Sequence, residues 1–281
     1  IIDVYNTAAI VQFHSYGMWK LRKTFSEIIQ NLLPNIEYIY DKSLGTLPEK
    51  FILENSIKNG YLFKTGNENE VIASEYNNLF KIDWINGQKT GFFIDQRENR
   101  ELLGQFSKNK KVLNTFCYSG GFSIFALNSG AKEVHSLDSS KKAIDLVEKN
   151  IELINNKVGK HVSIVADAMD FIKNLNEDYD IIVLDPPAFA KHQKVRHKAI
   201  QGYKRLNARA IEQIKPGGIL FTFSCSQVID KELFRHTILS AAINAGRSVK
   251  ILNQLHQPAD HPVNIYHPES EYLKGLVLKI Y

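Results

Sequence analysis

Beyond Asn86-Gly87, β-branched and Leu-rich runs alternate with amphipathic helical stretches, a pattern that restricts a chain to a parallel sheet covered by helices on both faces. The runs are Lys111 to Phe116, Glu133 to Leu137, Val162 to Val165, Ile181 to Leu184 and Ile219 to Phe223. Helical spacing falls between them, as at Ser140 to Asn155 and Tyr203 to Ile214. The expected fold class is therefore α/β: a doubly wound, Rossmann-like sheet, mostly parallel with an antiparallel edge strand.

The residues before that turn read differently. A partly alternating stretch from Asp3 to Phe13 precedes Gly17 to Leu33, where Leu21, Phe25, Ile28, Ile29 and Leu32 fall at helical spacing before Pro34. Short β-like runs follow at Ile36 to Tyr40, Val71 to Glu75 and Asn78 to Ile85, around the turn-rich Lys64 to Asn67. This predicts a small α+β (EEHEE-like) domain over 1–87 and the doubly wound domain over 88–281. The first residues, Ile1 to Tyr5, have no initiator Met and read as the middle of a strand, so something upstream is expected to be missing.

Composition removes several classes. No apolar run approaches the ~20 residues of a membrane helix, so a soluble protein without a membrane partner is expected. Two cysteines, Cys117 and Cys225, are too few for a disulfide framework and lack zinc-ligand spacing, which points to a reducing cytoplasm and no metal. A net charge of +5 is too mild to name a partner by itself. A homodimer is left open.

The first strand of the repeat runs into Phe116-Cys117-Tyr118-Ser119-Gly120-Gly121, where paired glycines allow a sharp turn and close approach to a ligand. The loop is not G-x-G-x-x-G, so a phosphate-free adenosyl compound suits it better than a dinucleotide. Asp138 ends the next strand about 20 residues on, where an acid can accept bonds from ribose hydroxyls. Asp167 ends the third, placed to face an adenine edge. Capping explains either acid alone, Asp138 ahead of Ser139-Ser140-Lys141 and Asp167 ahead of Ala168-Met169-Asp170. The shared register of turn, Asp138 and Asp167 at successive strand ends favours a cofactor site, and the compound expected is S-adenosyl-L-methionine.

The strand Tyr179 to Leu184 ends in Asp185-Pro186-Pro187-Ala188-Phe189, and the next ends in Ser224-Cys225-Ser226. In a doubly wound sheet both reach the same edge, so a carboxylate and a thiol can flank one flat base. A Cys thiolate can add to C6 of a pyrimidine, making C5 electron-rich enough to attack a sulfonium methyl, while Asp185 stabilises charge at N3. The bland alternatives are a proline turn with an exposed Asp and a buried core Cys. Cys117, inside the cofactor turn, is expected only to pack.

From Pro186 through Ile211 no acidic residue occurs, while Lys191, Lys194, Arg196, Lys198, Lys204, Arg205 and Arg209 crowd in with His192, His197 and Tyr203. A solvated face is the simpler reading, but the exclusion of acids beside the proposed reaction centre suits phosphate contacts with RNA. A base paired in a helix could not reach Cys225, so the target should be unpaired or flipped out.

Together, Thr90-Gly91-Phe92-Phe93-Ile94-Asp95-Gln96-Arg97, the Phe116 to Phe122 turn, Asp185 to Phe189, Gly202-Tyr203-Lys204-Arg205-Leu206-Asn207, Ser224-Cys225-Ser226, Ala259-Asp260-His261-Pro262 and Tyr272-Leu273-Lys274-Gly275 carry a resemblance. The chain resembles, over nearly all of its length, the large-subunit (23S) ribosomal RNA 5-methylcytosine methyltransferases of the PUA-containing type, a class I S-adenosylmethionine-dependent family. The resemblance implies that Phe93, Asp95, Gln96 and Arg97 help enclose the cofactor with Phe116, Tyr118, Ser119, Gly120, Gly121, Asp138, Ser139, Asp167, Ala168 and Asp185. It also implies Cys225 as nucleophile, Asp185 as its catalytic partner, and Pro186, Pro187, Phe189, Lys191, Tyr203, Lys204 and Arg205 as substrate-binding, with ribosomal RNA the partner. Family members begin with a PUA domain, whereas this chain opens in what resembles their middle domain. Competing readings are a nitrogen methyltransferase of RNA, since Asp-Pro-Pro before an aromatic occurs there too, and a non-catalytic RNA-binding module. Asp260 and His261 are candidates for the base that removes the C5 proton, or simply a turn.

Overall fold

The computed structural model describes residues 1–67, 70–155, 159–175, 178–190 and 192–281. Lys191, among the expected substrate contacts, lies outside the described residues. Two compact units result, Ile1–Ile94 and Asp95–Tyr281, with the divide a few residues past the Asn86-Gly87 turn.

In the first unit the alternating Asp3 to Phe13 run is a hairpin rather than one strand: β1 (Ile2–Tyr5) and β2 (Ala8–Val11) pair antiparallel around Asn6, whose φ of 52° serves the turn. The expected single helix is two, α1 (Tyr16–Lys20) and α2 (Arg22–Leu32), with Leu21 serving as the C-cap of one and the N-cap of the other. β3 (Tyr38–Asp41) lies parallel to β2, and β4 (Gly60–Lys64), after α3 (Glu49–Glu54), completes a four-stranded sheet. Ile29 of α2 packs with Ala9, Val11, Phe13, Ile36 and Ile39 in one apolar cluster. β5 (Val71–Glu75) and β6 (Asn78–Ile82) form a separate hairpin through Tyr76 and Asn77, both at positive φ.

The second unit is the expected doubly wound domain. Its elements are α4 (Arg97–Ser107), β7 (Lys111–Thr115), α5 (Gly121–Asn128), β8 (Glu133–Asp138), α6 (Lys141–Ile151), β9 (Lys160–Val165), α7 (Ala168–Lys173), β10 (Ile181–Leu184), α8 (Arg196–Gln213), β11 (Ile219–Ser224), α9 (Lys231–Asn244), β12 (Val249–His256) and β13 (Lys274–Ile280). The sheet order is β12-β13-β11-β10-β7-β8-β9. β9, β8, β7, β10 and β11 are mutually parallel, and β13 inserts antiparallel between β11 and β12. The antiparallel strand thus lies one place in from the edge. It is seven residues long and mostly buried, so it reads as a continuous apolar run rather than as an alternating edge.

Side chains alternate across this sheet. Leu220 belongs to a core with Tyr203, Leu206 and Ile211 of α8 and Phe234 and Ile238 of α9. Phe221 and Phe223 turn the other way, their rings 5.7 and 5.6 Å from Phe106 of α4 and Phe122 of α5. Burying large side chains on both faces, each worth about 1.5–3 kcal/mol, makes the sheet a rigid platform. The chain runs outward from β7 through β8 to β9 and returns to β10 on the other side of β7. Loops after β7 and β10 therefore diverge, opening the crevice where such folds bind ligands.

At the opposite, amino-terminal edge a cluster of charged side chains ties the strands together. Glu133 accepts hydrogen bonds from His135 Nε2 at 2.9 Å, Lys160 Nζ at 3.1 Å and Lys111 Nζ at 3.3 Å. These donors, His135 foremost, hold its carboxyl at about 2, below the usual carboxylate range. A depressed carboxyl stabilises the fold above its unfolded pKa and loses that contribution as pH falls toward its folded value. Glu133→Gln is expected to cost about 1–3 kcal/mol at pH 7 and to flatten the stability profile between about pH 4.5 and 2, read by chemical denaturation. An unaltered acid slope would show that another group titrates.

Candidate active site

The turn after β7 has the conformation its glycines suggested. Phe116 and Tyr118 sit at φ 54° and 46°, and Gly120, at φ 80°, N-caps α5. A Cβ on Gly120 would come within 3.2 Å of Val147, and one on Gly121 within 2.9 Å of Arg100, so those side chains occupy the space a side chain at either glycine would need. Ser119 is buried, and its carbonyl accepts from Asn150 Nδ2 at 2.8 Å.

Asp138 and Asp167 separate on inspection. The N-cap of α6 is Ser140, whose Oγ accepts from Ala143 N, so Asp138 is not spent on that helix. Its Oδ2 instead accepts the Tyr118 N–H at 3.1 Å and its Oδ1 the Ser140 N–H at 2.9 Å. The acid ties the glycine turn to the end of β8. Ser139, next to it, is exposed. Asp167 is a helix cap: its Oδ1 accepts from Met169 N at 2.8 Å and Asp170 N at 3.1 Å at the start of α7, with Ala168 buried behind it.

The Thr90 to Arg97 stretch crosses the divide between units. Phe93 belongs to the first, where the Lys89 ammonium stands 4.5 Å from its ring centre. In the second, Asp95 and Gln96 are buried. Asp95 Oδ2 accepts from the Tyr272 hydroxyl at 2.7 Å, and Gln96 Nε2 donates to Asp185 Oδ2 at 3.0 Å. Gln96 Oε1 accepts in turn from Asn99 Nδ2 at 2.7 Å. Arg97 pairs with Asp260 at 2.7 Å. Desolvation raises the Asp260 carboxyl, but hydrogen bonds from Arg97 and His261 outweigh it and hold the group below its ordinary range. That makes Asp260 a weak proton acceptor. The segment is also a turn, closed by His261 N to Pro258 O at 2.9 Å.

β10 and β11 pair parallel with Leu184 opposite Thr222, so Asp185 and Cys225 leave the sheet at one edge from adjacent strands. Cys225 is half-buried, whereas Cys117 is buried, and burial, then the nearby Asp138 charge, pushes its thiol well above the ordinary value. Cys117 is inert packing.

The Asp185 loop rests on Tyr203. Expected to touch substrate, Tyr203 is instead fully buried: its hydroxyl lies 3.1 Å from Ser226 Oγ and its ring 4.5 Å from Phe189. Gly202 keeps the helix close enough, since a Cβ there would meet Phe189 at 2.9 Å. Tyr203 and Phe189 thus brace the strand-end loops. Pro186 is buried and Pro187 exposed; Lys204 is half-buried and Arg205 exposed on α8, and residues 192–198 are all exposed. Reasoning from sequence missed Lys274, a buried lysine whose Nζ donates to the carbonyls of Ser226 and Tyr272, both at 2.7 Å.

A glycine turn after the first strand, tied to the carboxylate that ends the next at the switch point of a doubly wound sheet, is the nucleotide-cofactor crevice of the Rossmann-like fold that class I methyltransferases share. Residues 63–277 match the family model described as S-adenosylmethionine-dependent methyltransferase. The chain belongs to that family, and its cofactor is S-adenosylmethionine. It is 38% identical over 282 residues to ribosomal RNA large subunit methyltransferase I of Tolumonas auensis, covering 99% of this chain and 70% of that protein. The protein of the same name from Pseudoalteromonas translucida is 37% identical over 283 residues, covering 100% and 71%. Among solved structures, a Streptococcus mutans protein described as a SAM-dependent methyltransferase superposes with a TM-score of 0.83 at 23% identity, covering 99% of this chain and 70% of that one.

No helix among the described residues is long and apolar enough to cross a membrane. Among the described residues, no group of three or more His, Cys, Asp or Glu could hold a metal ion.

Proposed function

We propose that this protein methylates carbon 5 of a cytosine in large-subunit ribosomal RNA through a covalent adduct of Cys225 at C6. The observation that carries the reading is the exit of Cys225 and Asp185 from adjacent parallel strands at the ligand-binding edge of the sheet. The large-subunit RNA assignment draws on the names of the relatives.

The residues fit the cofactor. The Phe116, Tyr118, Ser119, Gly120 and Gly121 turn would take its amino-acid end, Asp138 with Ser139 its ribose, and Asp167 with Ala168 its adenine, while Asp95, Gln96 and Arg97 flank the Asp185 side. Bound there, it supplies an electrophilic methyl group. The protein's task is to make C5 nucleophilic. The Cys225 thiolate adds to C6 and the C5–C6 electron pair is shared through C4 with N3, which takes a proton from the Asp185 carboxyl while the N4 amino group donates to it. Once C5 carries the methyl, N3 returns its proton to Asp185, the C5 proton passes to solvent, the C5–C6 double bond re-forms and the thiolate is expelled. Phe189 and the two prolines shape the wall beside the base, and Lys204, Arg205 and the exposed basic stretch suit phosphates of an unpaired segment.

The test is base-resolution mapping of 5-methylcytosine in large-subunit RNA from cells with and without the protein. One modified cytosine is expected to vanish and to return on complementation. An unchanged map would overturn the assignment.

A further inference from the structure

The geometry points to Lys274 as the positioning residue that keeps the Cys225 sulfur anionic and ready to add. This rests on Cys225 acting as the nucleophile.

Lysine is almost never fully buried unless its charge is compensated. Lys274 retains 4% of its exposure, and no carboxylate forms an ion pair with it among the described residues. Its hydrogen bonds go to two neutral carbonyls, one belonging to Ser226, the residue after Cys225. Neutral acceptors solvate an ammonium without balancing it, and of its three protons two are so used. The Cys225 thiol, one residue before the Ser226 carbonyl that Lys274 holds, is a group able to become a balancing anion, and its charge favours the ammonium.

The fold fixes this juxtaposition. Lys274 opens β13 directly opposite Ser224 at the end of β11. The next residue, Gly275, stands opposite Phe223, and a Cβ there would lie 2.5 Å from the Phe223 ring, so the close approach of the two strands depends on glycine. Tyr272, two residues earlier, donates to Asp95 and accepts from Lys274 through its carbonyl, anchoring the segment to the start of the domain.

Burial, the largest influence, pulls Lys274 down to about 8, while Cys225, Asp230 at the α9 cap and Glu271 before β13 push it up and Lys231 pulls it down. Tyr203 of α8 also faces Cys225 and stays protonated, its phenol raised chiefly by burial. At neutral pH the lysine is therefore a cation hydrogen-bonded to the residue that follows the sulfur-bearing Cys225. The thiol proton leaves to solvent and sulfur keeps the electron pair. That pair forms the S–C6 bond, and on elimination it returns to sulfur, where the ammonium again stabilises it. Lys274 stays protonated throughout.

Iodoacetamide alkylation of the intact chain, without RNA or methyl donor, tests this, with Cys225 followed by peptide mass spectrometry over about pH 6 to 9 and buried Cys117 as the unreactive internal control. In Lys274→Met, alkylation of Cys225 at pH 7 is expected to slow about tenfold and its pH profile to move up by about one unit, while Lys274→Arg recovers most of the rate. An unmoved profile in Lys274→Met, or equal displacement in both variants, would overturn the proposal. If Lys274→Met does not fold, the wild-type profile decides: a midpoint below that of an exposed Cys peptide measured alongside supports it, and one at or above contradicts it. Because no RNA is present, failure of the cytosine assignment leaves this result readable, and the reverse holds for the RNA map.

Discussion

Cys225→Ala is expected to lower methyl transfer to the target RNA by at least about 10³-fold, roughly 4 kcal/mol of barrier, while S-adenosylhomocysteine still binds with near wild-type affinity. Without the C6 adduct nothing supplies electron density to C5, and a ring carbon of neutral cytosine is a poor nucleophile. Asp138 and Gly120, proposed to hold the cofactor, lie on other strands' loops, so binding measured by calorimetry separates a chemical defect from a folding one. Cys117→Ser is the matched control, because Cys117 is buried and packs inside the turn. Full activity in Cys225→Ala would remove the covalent mechanism and favour transfer to a nitrogen, which needs no thiol.

The repeating α/β core was legible because β7, β8, β10 and β11 are buried on both faces, with β9 half-buried at the edge, and α6 and α8 between them keep an apolar stripe. Boundaries there differ by a residue or two at most strands. The elements that escaped notice share a cause. α4 buries Asn99 and Arg100 along with Leu103, so polar side chains interrupt the stripe that would mark it. β13 runs Leu276-Val277-Leu278 between two lysines and has no period of two, and α3 is a short helix with no buried residue. In the first unit the break at Leu21 and the hairpin at Asn6 depend on local backbone turns that hydrophobic periodicity does not encode.

At the site, spacing found carboxylates and glycines because strand ends are rigid landmarks, but it could not tell what each acid does. Asp138 and Asp167 read alike in sequence. Only the Ser140 cap frees Asp138 for the turn, whereas Asp167 spends Oδ1 on its helix. Tyr203 sits in a basic segment and reads as a contact to RNA, yet helical geometry turns it inward onto Phe189. Lys274 reads as a surface lysine. Its place in the Tyr272 to Gly275 segment of the resemblance, between Leu273 and Gly275-Leu276, was the local hint, an apolar setting unusual for an exposed charge.

Asp185→Asn is expected to reduce turnover by about 10² to 10⁴-fold with little change in S-adenosylhomocysteine affinity, as measured by single-turnover methylation and calorimetry. The reason lies in the network behind it. Asn99 donates both to Gln96 Oε1 and, at 3.3 Å, to the His256 carbonyl, which orients the Gln96 amide so that its NH₂ faces Asp185. An asparagine must then turn its oxygen toward Gln96 and its NH₂ toward the base. A donor would stand where the amino edge of cytosine requires an acceptor, and no acid would remain to protonate N3 as it receives the electron pair. Gln96→Ala should cost less, about tenfold, because it loosens the carboxylate without neutralising it. Near wild-type turnover in Asp185→Asn would mean that the carboxylate only shapes the loop; a loss in Gln96→Ala as large as that in Asp185→Asn would mean that its orientation, more than its charge, carries the effect.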